Sequence, residues 1–115
     1  MRYKINGITD DPKQRFNVQI PNSDENLEVV LNYLPSQQAW YLDLFYKDFS
    51  IYGYKVALSP NMLREFRNII PFGISVSSMD NIYPMEITAF SSDRVNMYVL
   101  DKSDVKELEY NIYVG

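Results

Sequence analysis

Trp40-Tyr41-Leu42-Asp43-Leu44-Phe45-Tyr46 (WYLDLFY) holds the chain's only tryptophan and sets one carboxylate among six apolar or aromatic residues. Alternation assigns Trp40, Leu42, Leu44 and Tyr46 to one face and Tyr41, Asp43 and Phe45 to the other, the two-residue period of a β-strand with one buried side. Such a strand needs polar groups on its second face, which weakens a reading of Asp43 as a catalytic acid in an aromatic cleft. The parity makes Asp43 an outward strand residue or part of a docking surface, held by a backbone amide or by a cation such as Arg15, Lys55 or Arg94.

The flanks extend the pattern. Upstream, NLEVVLNYL places Leu27, Val29, Leu31 and Tyr33 on one face, with Glu28, Val30 and Asn32 on the other. The turn-like Pro35-Ser36-Gln37-Gln38 joins it to the tryptophan strand as a hairpin with a loop of about four to five residues. Before it, RFNVQI alternates Phe16, Val18 and Ile20 with Arg15, Asn17 and Gln19 until Pro21 stops it. Downstream, Lys47-Asp48 turns the chain into FSIYGYKVAL, with Tyr52, Tyr54, Val56 and Leu58 expected on one face and Gly53 marking a bulge or bend. SPNMLREFRN carries helix signals: Ser59 as cap, Pro60 in the first turn, Leu63 and Phe66 three apart. GISVSSM reads as a weaker strand and is followed by a loop around Asp80-Asn81 and Tyr83-Pro84. RVNMYVL (Val95, Met97, Val99 inward) and ELEYNIYV (Leu108, Tyr110, Ile112, Val114 on one face) complete the series. The expectation is a mainly β chain, a small antiparallel β-barrel or sandwich of six to seven strands with one short helix, forming one domain over residues 1–115. Its candidate core is Trp40, Leu42, Leu44, Val56, Leu58, Leu63 and Phe66.

Composition narrows the chemistry. The chain of 115 residues contains neither cysteine nor histidine. Thiol nucleophiles, disulfides, imidazole metal sites and the Ser-His-Asp and Cys-His mechanisms are therefore excluded. The acidic pairs Asp10-Asp11 and Asp24-Glu25 sit beside prolines and read as solvated turns. Glu28, Asp43 and Glu109 are strand carboxylates that no spacing brings together as an acid/base pair. No phosphate-binding glycine loop or calcium-loop spacing occurs. The sequence thus points to a protein that is not an enzyme, with no catalytic residues, no cofactor and no metal. A net charge of −4 gives no footprint for nucleic acid. No run approaches the length of a membrane span, and the start MRYKINGITDD lacks the apolar core of a signal peptide, so a cytoplasmic origin is expected.

Ten tyrosines remain to be placed. They could line a stacking groove, as in a small ligand-binding barrel for glycan or single-stranded nucleic acid, but Asp43 and Glu109 stand where cations would be wanted. The alternative is core and protein interface, where Tyr, Trp and Met are enriched. The candidate interface is Tyr41, Asp43 and Phe45, together with Tyr110 and Tyr113 on a C-terminal strand whose two apolar faces invite pairing with another chain.

The order Leu31-Asn32-Tyr33, short loop, Trp40-Tyr41-Leu42-Asp43-Leu44, hairpin through Gly53 to Val56 and Leu58, then Leu63-x-x-Phe66 resembles the small baseplate plug family of contractile-tailed bacteriophages. The likeness spans roughly residues 16–100 and is most specific from Leu31 to Phe66. It implies a virion component of the tail baseplate: a small barrel near the central hub and tube, with other tail or baseplate proteins as partners and self-association open. It also implies a passage through the host cytoplasm during assembly, while composition and run length leave no membrane partner expected and disfavour nucleic acid.

Overall fold

Seven strands and one α-helix make up the fold in a computed structural model that describes residues 2–114, with side chains over residues 3–108. The strands are β1 (Arg2–Lys4), β2 (Lys13–Gln19), β3 (Asn26–Leu34), β4 (Ala39–Tyr46), β5 (Phe49–Lys55), β6 (Gly73–Ser78) and β7 (Val95–Leu100); the helix is α1 (Lys102–Val114). They form two antiparallel sheets, one ordered β2-β3-β4-β5 and the other β1-β7-β6. No strand pairing closes them into a barrel among the described residues.

The alternating stretches build the first sheet. Leu31 pairs with Leu42 and Val29 with Leu44, so the apolar parities of β3 and β4 face one way. They meet Ile74 and Val76 of β6 and Val95, Met97 and Val99 of β7 in one apolar cluster. Trp40, Leu42, Leu44 and Leu63 have no exposed surface and Val56 is buried, while Leu58 and Phe66 pack on the cluster's margin. The chain passes from one sheet to the other between Val56, whose N–H donates to the Trp40 carbonyl at 2.9 Å, and Ser59, which bridges Val76.

Three expectations are corrected. First, SPNMLREFRN forms no α-helix; only a 3-10 turn at Arg64–Phe66 survives. Tertiary bonding outweighs the local signals, because buried Asn61 accepts from the Leu63 and Ile74 amides through Oδ1, each at 3.1 Å, and the Met62 N–H donates to the Ile74 carbonyl. The segment is thereby pinned along β6, so closely that a Cβ on Gly73 would lie 2.6 Å from Asn61 Oδ1. Second, ELEYNIYV lies in helix α1 instead of a strand, which removes the proposed pairing edge.

The helix starts at a reciprocal cap. Asp101 Oδ1 accepts from the Asp104 amide (2.8 Å) and the Ser103 hydroxyl (2.7 Å), while Asp104 Oδ2 accepts from the Asp101 amide. Third, Tyr52 does not share a face with Tyr54, since a bulge lies between the Leu42–Tyr54 and Leu44–Ile51 pairs and reverses the parity. The N-terminal Arg2–Lys4 segment, which carries no strand signal of its own, adds a strand by pairing with β7.

Candidate interaction surface

The outer face of the four-stranded sheet is built in cross-strand rows: Arg15–Val30–Asp43, Asn17–Glu28–Phe45–Ser50 and Lys13–Asn32–Tyr41–Lys55. Tyr41, Asp43 and Phe45 are half-buried side by side along β4. Asp43 sits opposite the bulge, where Tyr52 and Gly53 stand against one residue of β4. Gly53 has φ +62°, a left-handed conformation that favours glycine, and its N–H donates to Asp43 Oδ1 at 2.7 Å. Asn32 Nδ2 donates to Oδ2 at 3.4 Å. A backbone amide thus holds the carboxylate, while Arg15 pairs with Glu28 at 3.0 Å and Arg94 serves another part of the fold. Phe45 meets Tyr52 edge to face at 5.4 Å, and the Tyr41 hydroxyl donates to Gln37. The side chains of Tyr110 and Tyr113 lie outside the described residues.

A second surface had no sequence signal beyond its turn residues. Between β6 and β7 the chain runs sixteen residues, from Met79 to Arg94, closed at its base by the Met79 amide donating to the Arg94 carbonyl at 2.9 Å. Arg94 spreads its guanidinium under the first half of this loop. Nε donates to Glu86 Oε1 (2.6 Å), Nη1 to Asp80 Oδ1 and the Ile82 carbonyl, and Nη2 to the Tyr83 carbonyl, the last three at 2.8 Å. The Glu86 and Asp80 bonds raise the Arg94 pKa further above its ordinary value. Partial desolvation pushes the Asp80 carboxyl up, but bonds from the Ile82 amide, Arg94 and Ser78 outweigh it and hold the group below its ordinary value.

The loop is also tied to the core. The Tyr33 hydroxyl donates to the Met85 carbonyl (2.6 Å), Trp40 Nε1 to the Glu86 carbonyl (3.3 Å), and Trp40 packs edge to face on Phe90 at 5.6 Å. Pro84 is buried, yet Met79, Ile82, Tyr83 and Met85 all point outward, Met79 with 82 % of its surface exposed. Among the described residues, no helix is long and apolar enough to cross a membrane and no group of three or more carboxylates is placed to hold a metal ion.

A family model described as cyanophage baseplate Pam3 plug gp18 matches residues 2–102. The chain belongs to this baseplate plug family. The match takes in all seven strands and both surfaces above, and ends at the first residue of α1. A search of the curated proteins finds no match. Membership places the chain among bacteriophage tail-baseplate proteins, virion structural components that assemble with other parts of the baseplate.

Proposed function

We propose that this baseplate plug protein acts without catalysis, as one folded unit that packs near the central hub and tube of a contractile phage tail and is fixed there by protein–protein contacts. It would pass through the host cytoplasm before incorporation into the tail. The family match over residues 2–102 carries this reading. The fate of the carboxylates is in keeping with it, since Asp43, Glu28 and Glu25 each have a structural partner of their own: the Gly53 amide, Arg15, and Tyr46 with Lys47. In this reading Tyr41, Asp43 and Phe45 offer a flat, mixed polar and aromatic face to a neighbour. The alternative, a glycan- or nucleic-acid-binding module, rests on the aromatic groups of this face alone, and Asp43 and Glu28 among them oppose a polyphosphate backbone.

The test is the mass of the protein in solution, by light scattering across a range of concentrations, alone and then with purified tail proteins encoded beside it. A defined complex with a hub or tube protein is expected. A monomer that ignores every tail protein offered would contradict the proposal.

A further inference from the structure

We infer that the Met79–Met85 tip of the β6–β7 loop is a preformed apolar peg that inserts into an uncharged apolar recess on a different baseplate protein, an inference that rests on the baseplate reading above. Four large apolar side chains, Met79, Ile82, Tyr83 and Met85, stand outward within seven residues. Isolated exposed apolar residues are ordinary, but such a concentration on one loop marks an interaction site. Loops longer than about 12–15 residues without regular structure are uncommon and are usually functional.

The tip is also held in shape. Arg94 bonds to two backbone carbonyls and two carboxylates of the loop, and Tyr33 and Trp40 bond to two further carbonyls. A loop so fixed loses little conformational entropy on docking, which is the advantage of a preorganised surface.

The chemistry of the tip selects the occupant. Asp80 is its only charged side chain and, though 42 % exposed, is paired with Arg94; beside it and the exposed Asn81 amide, the tip presents thioether, aliphatic and phenol surface from four of its seven residues. That surface complements an apolar recess and gains nothing from a charged one. The clefts of this chain do not suit it: one is rimmed by Arg67, Lys102 and Lys106, another by Lys4 and Asp93. Two copies meeting tip to tip would also fall short of the roughly 20–30 residues a side typical of a stable pair. Seven residues suffice for an anchor within a larger seat formed by another protein, where a few buried apolar and aromatic groups dominate the energy.

The experiment uses the full chain and the purified hub or tube protein with which it forms a complex, comparing wild type with Met79→Ser/Ile82→Ser/Tyr83→Ser and with Ile69→Ser, an exposed apolar residue on neither surface. Circular dichroism and Tm establish that each variant is folded. Should the triple variant not fold, Ile82→Ser alone is carried through the same binding series. The expected result is affinity weakened about tenfold or more by the loop changes and left within about threefold by Ile69→Ser. Unchanged affinity of the loop variant beside a wild-type complex overturns the peg while leaving the baseplate reading intact. Failure of the wild type to bind any tail protein overturns both. Concentration-dependent self-association, or binding to phosphatidylcholine vesicles, that the loop changes abolish would assign the tip to a second copy or to lipid and overturn the proposed occupant.

Discussion

The outer face of the four-stranded sheet and the tip of the β6–β7 loop treat polar and apolar groups in opposite ways. On the sheet face the charges point outward and pair with their neighbours, as Arg15 does with Glu28, while Val30 is covered to 3 % exposure by the residues around it. In the loop Arg94 turns inward to hold backbone, and four apolar side chains of the tip are left outside. The sheet face is largely satisfied by its own contacts. The loop has its backbone held and its apolar surface uncovered, the condition of a part made to meet another protein.

Trp40 touches both regions, with its ring in the shared core and its indole N–H on the loop, so its removal is expected to have the largest effect. Trp40→Ala should cost about 3–5 kcal/mol of unfolding free energy in urea and should raise hydrogen exchange in the loop. Stability unchanged within about 1 kcal/mol would deny that the two regions share a support.

Arg94→Ala separates them. It should lower stability by about 1–2 kcal/mol, discounted for partial exposure, with the faster exchange confined to residues 79–86 and the sheet amides unchanged. Arg94→Lys should recover only part, since an ammonium cannot reproduce the planar fork that reaches four acceptors. An equal rise in exchange across both regions would remove the distinction between them.

Asp43→Ala is the matching change on the sheet face, where it removes the acceptor of the Gly53 amide at the bulge. A loss of about 1 kcal/mol is expected, with faster exchange at Gly53 and no change in the loop.

Acid should give the smallest effect. Asp80 is held below its ordinary carboxyl value in the fold, so its contribution to stability is complete above its unfolded pKa and is lost as pH falls through the lower folded one. Loop protection should therefore stay level from neutrality to about pH 4 and decline below it. A decline already complete at pH 6 would contradict this assignment.

How much of this was legible in the sequence depended on whether the deciding contacts were local. Strict alternation in β3 and β4, with Pro35 between them, left one antiparallel register with a buried face, and Gly53 announced the bulge. What the bulge did to Tyr52 was not legible, because one extra residue reverses parity beyond it. Ser59-Pro60 gave a true local helix signal that Asn61 overrode by bonding to the Ile74 amide, thirteen residues away. ELEYNIYV fits a strand period and a helix period alike. The deciding sign was Asp101-Lys-Ser-Asp104, a capping pattern three residues apart whose value lay just upstream of the stretch being read. The tip was legible only as a loop around Asp80-Asn81 and Tyr83-Pro84; that Met79, Ile82, Tyr83 and Met85 stand outward from it depends on Arg94, which reaches back to the Ile82 and Tyr83 carbonyls.

The central claim is that this chain is seated in the baseplate by contacts with other tail proteins, the loop tip foremost. A cryo-electron microscopy map of the assembled tail, fine enough to place side chains, tests it most directly. The account predicts the chain near the hub and tube, with Met79, Ile82 and Tyr83 enclosed by apolar groups of a different protein. A tail without the chain, or a seated chain whose Met79–Met85 tip faces solvent, would contradict it.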